Sequence, residues 1–161
     1  ARDRHRVDHV GYIFQQFNLL PYLTALDNVL LPCRFSARRR EAAARNARSL
    51  RAEGQHWLAG MGLDASVWNR PAHTLSVGQQ QRVAAARALV GEPGLVIADE
   101  PTSALDEDRR DIFLDLLLSA CGQARSALVL VSHDRRIARR FGREVSLPQI
   151  NRAAAAAEGH A

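Results

Sequence analysis

Lysine is absent from these 161 residues: all 22 basic side chains are arginine. Without lysine there can be no G-x-x-x-x-G-K-[S/T] loop, the segment whose backbone N–H groups and ammonium hold the β- and γ-phosphates of a nucleotide. Cysteine is scarce as well. Cys33 and Cys121 have neither the number nor the spacing of a disulfide framework or a zinc site, so a reducing compartment is expected. Aromatic residues make up 6% of the chain and are not interleaved with the arginines. The groups Arg38-Arg39-Arg40, Arg45, Arg48 and Arg51, and Arg135-Arg136 with Arg139-Arg140, therefore read as solvated helix faces, and the formal charge of +5 is not taken as a nucleic-acid footprint. Long apolar runs are missing too. The stretch Leu114 to Ala120 is interrupted by Asp115 and Ser119, far short of the roughly 20 residues that cross a bilayer, and no signal peptide opens the chain. Any role at a membrane would come through a partner.

What is present is enough for one compact domain, with a hydrophobic fraction of 47%. Val10 to Phe14 reads as a short strand that delivers Gln15 to a loop. Thr24 caps a helix from Ala25 to Leu31, stopped by Pro32. From Ser36 a longer helix is expected to reach about Met61, because Ala43, Ala47, Leu50, Trp57, Leu58 and Met61 recur at three- and four-residue steps while arginines take the other face. Gly62 closes that helix. Residues 79 to 90 form a second helix with small residues at Val83, Ala84, Ala86 and Ala88, ended by Gly91-Glu92-Pro93. Then follow a strand at 95–98, a helix from 107 to about 120, a strand at 127–131, a short helix at 135–141 and a last strand around Val145. Strands alternating with helices predict a parallel sheet in an α/β fold. The tail, with Ala153 to Ala157, is expected to fray.

Three segments carry chemistry. Ser76 followed by Gln79 is a capping-box pattern, so Ser76 is expected at a helix N-cap, with Gly78 allowing a ligand close to the first turn. Alone, such a pattern is an ordinary capped helix. Here it continues as Gln79-Gln80-Gln81-Arg82 and is followed by Leu95-Val96-Ile97-Ala98-Asp99-Glu100, an apolar strand that ends in two carboxylates where sheets bind ligands. Two acids can also make a simple turn. One carboxylate suits Mg²⁺ through its water shell, and its neighbour suits an attacking water. A second apolar strand ends at Val131-Ser132-His133-Asp134, where a lone histidine is more often structural than catalytic. The order of the three segments gives them their meaning.

Taken together, these residues resemble the nucleotide-binding subunit of ATP-binding-cassette transporters, from about Val7 to about Gln149. Gln15 matches the Q-loop glutamine, Leu75 to Gln79 the signature, Leu95 to Asp99 the Walker B strand, Glu100 the catalytic glutamate, Ser103 to Asp106 the D-loop and His133 the switch histidine. The resemblance implies a P-loop NTPase-like parallel sheet with an inserted α-helical subdomain, about 24–90, the remainder of the core lying at about 7–16 and 91–149 and the tail at 150–161. It implies ATP and Mg²⁺: Glu100, His133 and Gln15 in catalysis, Asp99 and Gln15 at the metal, and Ser76, Val77, Gly78, Gln79 and Asp106 at the nucleotide and across a dimer. The implied partners are a second nucleotide-binding subunit and transmembrane permease subunits, placing the protein peripherally on the inner face of the cell membrane, with no nucleic acid involved. Phe14 to Pro21 and Thr24 to Val29 resemble the exporter-like branch that includes lipoprotein-releasing and macrolide-efflux ATPases. Phe17 to Leu31 is the candidate permease-facing segment, or equally a segment packed inside the helical subdomain.

Two departures shape the functional expectation. Val77 stands where the family usually has a first signature glycine, which trims backbone freedom while leaving Ser76 and Gly78. The chain also begins at Ala1-Arg2-Asp3-Arg4 with no strand or turn ahead, so the amino-terminal part with the adenine platform and P-loop is expected to be missing. The first expectation is an ATP-hydrolysing transporter subunit represented by a fragment. The alternative is a catalytically incompetent half-site that lends only its signature loop to an intact partner. A chromosome or DNA-repair ATPase would insert long coiled coils, and no a/d heptad run is present.

Overall fold

The computed structural model describes residues 2–150, so the expected frayed tail lies outside the described residues apart from Ile150. One compact unit runs to Val131 and a second begins at Ser132. In the first unit, α1 (Arg2–His9) leads directly into β1 (Val10–Ile13), and the helices α2 (Ala25–Phe35), α3 (Ala37–Asn46), α4 (Leu50–Gly60) and α5 (Ala65–Trp68) follow. A single 3₁₀ turn (Ala72–Thr74) precedes α6 (Val77–Leu89), then β2 (Leu95–Asp99), α7 (Glu107–Gln123) and β3 (Ala127–Val131). The second unit holds α8 (Arg135–Ala138) and α9 (Leu147–Ile150).

The three strands form a parallel sheet in the order β1-β2-β3. Ile13 pairs with Ala98 and Asp99 with Val131, so the carboxyl ends of all three strands share one edge. Gly11, Ile13, Val96 and Ala98 are buried on one face, where α6 packs on β1. On the other face Val129 and Val131 are 50% and 41% exposed.

Small residues set the depth of that packing. A Cβ on Gly11 would lie 2.1 Å from the carbonyl oxygen of Ala88, so β1 and α6 touch backbone to backbone. Val83, Ala84, Ala86 and Ala88 are all buried, as their size suggests. Gln81, near the start of α6, donates to the Pro101 carbonyl beyond the end of β2. Because Ala88, near the end of α6, meets Gly11 near the start of β1, the helix runs against the strands. Its amino end therefore faces the edge that carries Asp99.

Four expected boundaries move. Pro32 lies inside α2 instead of ending it: the buried series Leu26, Val29, Cys33 continues through it, and Ser36 N–H bonds the Pro32 carbonyl at 2.9 Å. Continuation of that buried stripe outweighs the roughly 3 kcal/mol cost of an interior proline. The long helix from Ser36 to Met61 is two helices. Ala47 and Ser49 are extended, and the Ser49 hydroxyl accepts from Ala52 N–H at 3.1 Å, a local cap that the apolar period does not register. The helix expected at 135–141 ends at Ala138 and tightens into turns in which Arg140 N–H bonds Ile137 O and Phe141 N–H bonds Ala138 O. No strand forms around Val145 among the described residues; that side chain is 53% exposed.

The arginines of α3 do not all face water. Arg39 is 3% exposed, its Nε donating to Val90 O at 2.9 Å and its Nη2 to Ala88 O at 2.6 Å. These carbonyls end α6 and have no partner inside it, so a guanidinium fork from α3 caps the helix. Burial pushes Arg39 down to about 10, which still leaves it charged at neutral pH. Next to it Gly91 adopts φ 72°, and a Cβ there would meet Arg39 O at 2.5 Å.

Candidate functional site

At the sheet edge, β2 ends on Asp99 and the chain turns at Glu100. Glu100 has φ 45°, a left-handed conformation that costs a residue with a Cβ about 1 kcal/mol or more. It is held there because its N–H donates to Val131 O at 3.0 Å and its own carbonyl accepts from Ser103 N–H at 3.3 Å. β1 delivers Gln15 to the same edge: Ile13 lies beside Ala98 in the register, and Gln15 follows two residues later, exposed. Gln15, Asp99 and Glu100 thus lie at one edge of the sheet, the edge where parallel sheets bind ligands.

Their donors are hard oxygens from one amide and two carboxylates. Among the described residues no group of three or more His, Cys, Asp and Glu side chains is placed to hold a metal ion unaided. Mg²⁺ asks for less. It retains waters and is commonly held by one or two carboxylates together with substrate phosphates, so this donor set fits it as an ion carried in with a phosphate ligand.

The Ser76 loop forms the expected capping box. Ser76 Oγ accepts from Gln79 N–H at 3.3 Å, and Gln79 Oε1 accepts from Ser76 N–H at 3.0 Å. The reciprocal pair uses the N–H groups of Ser76 and Gln79. Those of Val77 and Gly78 have no partner within the helix, and the Ser76 hydroxyl keeps its proton to donate. Nothing lies within 4 Å of where a Gly78 Cβ would stand, and Val77 is 53% exposed, so the first turn is open to an approaching ligand. The macrodipole of α6 favours an anion at such an end. Five residues further on, about 7.5 Å along the helix axis, Gln81 ties α6 to Pro101 just past Glu100.

Asp106 is the N-cap of α7, its side chain accepting from Arg109 N–H at 2.9 Å and pairing with Arg109 Nε at 3.3 Å, both groups exposed. His133 belongs to the second unit, exposed, one residue before Asp134, which caps α8 and pairs with Arg136 at 3.0 Å. In the candidate permease-facing segment, Ala25, Leu26, Asn28 and Val29 are buried in the core while Tyr22 is 72% exposed, so its exposed part is the loop before α2. Gln81, Arg39 and Arg87 were not singled out by sequence. The available signal was register: Arg39 lies on the Ala42–Ala43 stripe and Arg87 on the Val83–Ala84 stripe.

No helix among the described residues is long and apolar enough to cross a membrane. Cys33 and Cys121 are free, buried thiols.

The sequence model of the family described as ABC transporter matches residues 1–103. Among curated relatives, the lipoprotein-releasing system ATP-binding protein LolD of Nitrobacter hamburgensis is 38% identical over 91% of this chain and 60% of its own length. The uncharacterized ABC transporter ATP-binding protein MJ0796 of Methanocaldococcus jannaschii is 41% identical over 87% of this chain and 57% of its own. The chain therefore spans less than two thirds of the relatives it matches. A solved dimer of the MJ0796 ATP-binding cassette, in a post-hydrolysis state bound to ADP and Pi, superimposes on 85% of this chain and 57% of that one, with a TM-score of 0.68 and 36% identity. The strand order, the capped α6 and the acid-ended β2 occur in a chain that matches this family in sequence and in fold, and the chain belongs to the ABC transporter family.

Proposed function

We propose that the protein hydrolyses ATP to drive transport through separate transmembrane subunits, as part of a dimer of nucleotide-binding subunits. The observation that carries the reading is the convergence of Gln15, Asp99 and Glu100 at one sheet edge, in a chain whose α6 also presents an open, capped amino end. In the proposed dimer, Ser76, Val77, Gly78 and Gln79 of one copy meet the γ-phosphate bound by the other, and Asp106 lies at the junction. Backbone N–H groups and the Ser76 hydroxyl suit that anion without a lysine. Glu100 accepts a hydrogen bond from a water and orients it toward the γ-phosphorus. The new P–O bond forms as the bond to the ADP oxygen breaks, and the water's proton passes to the solvent or to the phosphate released. Asp99 and Gln15 would hold Mg²⁺, which neutralises charge developing on the phosphate oxygens. His133 is assigned to the γ-phosphate. The exposed loop with Leu20 and Tyr22 is the surface offered to the transmembrane subunits, holding the protein peripherally at the inner face of the membrane.

The test is Glu100→Gln in the full-length gene product. ATP turnover should fall by about 10²-fold or more while ATP binding persists, since a neutral amide of the same shape cannot orient the water as well. Turnover equal to wild type overturns the reading.

A further inference from the structure

Two residues after Gln15 the backbone takes, twice in succession, a conformation that L-residues avoid: Phe17 has φ 60° and Asn18 φ 48°. Neither residue is glycine, so something must hold the turn. Arg87 Nη2 donates to Phe17 O at 2.6 Å and Nη1 to Asn18 O at 2.7 Å, one guanidinium nitrogen on each of two consecutive carbonyls. The planar fork matches that pair in a way no single-point donor can. Arg87 is half-buried on α6, and burial holds its pKa below the ordinary arginine value. Its charge is spent on backbone oxygens of the loop.

The rest of the loop is fastened separately. Asn28 binds Leu20 on both sides, accepting from its N–H at 2.8 Å and donating to its carbonyl at 3.1 Å, and also donates to Leu23 O and Thr24 O. The downstream half therefore does not need Arg87. The upstream half does. Gln15 follows Ile13, fixed by the ladder to Ala98, by two residues and lies within the turn closed by Phe17 N–H to Phe14 O at 2.9 Å, at whose far side stand the carbonyls held by Arg87. Without the fork, the left-handed pair keeps only the local bond from Asn18 N–H to Gln16 O at 2.6 Å, and the turn that carries the exposed Gln15 loses its tie to α6.

We propose that Arg87 is a positioning residue for Gln15, acting through the Phe17 and Asn18 carbonyls and governing the rate of ATP turnover rather than the affinity for ATP. The proposal rests on the ATP-hydrolysis reading and adds to it a residue of α6, the helix that Ser76 caps.

The experiment compares steady-state ATP hydrolysis by full-length wild type, Arg87→Met, Arg87→Lys, Gln15→Ala, Glu100→Gln and the double variant Arg87→Met with Gln15→Ala. Arg87→Met should lower kcat by about tenfold or more with KM for ATP within about threefold. Arg87→Lys, which keeps one donor, should recover part of that loss and serves as the measured variant if the methionine form does not fold. The double variant should be no slower than Gln15→Ala, because a residue acting through Gln15 has nothing left to act on. Losses that multiply, an altered KM at unchanged kcat, or wild-type turnover in Arg87→Met each overturn the proposal. If Glu100→Gln leaves turnover intact, the ATP-hydrolysis reading fails; if Glu100→Gln abolishes it and Arg87→Met does not, Arg87 alone is misassigned.

Discussion

Gly11→Ala should destabilise this protein more than any other single-methyl addition at its glycines in helices or strands. The new Cβ would stand 2.1 Å from Ala88 O, 2.8 Å from its carbonyl carbon and 3.2 Å from its Cα. Ordinary contact between carbon atoms is about 3.5–4.0 Å, so β1 and α6 must separate by roughly 1 Å, and both obstacles are backbone. Overpacking costs about 1–3 kcal/mol, and with no flexible side chain to yield, the upper end applies. Reduced freedom of the unfolded chain returns about 0.4–1 kcal/mol, leaving a net loss of about 2–3 kcal/mol. With a urea slope of about 2 kcal/mol per M, the unfolding midpoint of the full-length protein should drop by about 1–1.5 M without a change of slope. Gly122→Ala in α7, where nothing lies within 4 Å of the added methyl, is the control and should raise the midpoint slightly. A Gly11→Ala midpoint equal to or above wild type would refute the backbone contact between β1 and α6.

Three further outcomes follow from buried polar groups. Arg39→Met leaves the Ala88 and Val90 carbonyls without their donor and should cost about 2–4 kcal/mol in urea unfolding; Arg39→Lys should recover only part of this, because one ammonium does not reproduce the fork. Burial raises the Glu53 carboxyl above its ordinary range, with the Trp57 indole at 2.7 Å and then His56 pulling it back. A raised acid is stabilising in its protonated form, so its contribution is full below the ordinary carboxylate pKa and is lost as pH rises through the folded value; Glu53→Gln should flatten that segment of the stability–pH curve, and an unchanged curve would contradict it. Burial likewise pushes Cys121 up to about 11 from 9.0, so its contribution to stability is complete below pH 9 and disappears as pH climbs to about 11. Urea midpoints across that window should fall less steeply in Cys121→Ala, and alkylation of the native protein at pH 8 should spare this thiol.

The parts of the fold visible in the sequence were those fixed by contiguous residues. Ser76 and Gln79 form a capping box because each reaches the other's backbone within one turn. The strands at β1, β2 and β3 read correctly because apolar runs bounded by polar residues are local signals, and their alternation with helices implied the parallel order. Local signals misled where distant packing decided the outcome. Pro32 looked like a stop because nothing nearby reveals that Cys33 extends a buried stripe. Ser49 looked like part of a helix because a periodicity count does not weigh a hydroxyl against the next turn's N–H groups. Arg39 looked solvated and Arg87 drew no reading, since their carbonyl partners lie 49 to 51 and 69 to 70 residues away. At the candidate site, the sequence located Gln15, Asp99 and Glu100 at strand ends, but the left-handed backbone at Glu100, Phe17 and Asn18 depends on hydrogen bonds from other segments.

Glu100 carries a further implication for anyone altering this protein. Its backbone would be more comfortable as glycine, so a library sorted only for thermal resistance should drift toward glycine at that position and discard the carboxylate. On the role proposed for Glu100, improved ruggedness and lost turnover would then arrive in the same clones. Variants selected for heat tolerance should be sequenced at codon 100 before being trusted as working catalysts.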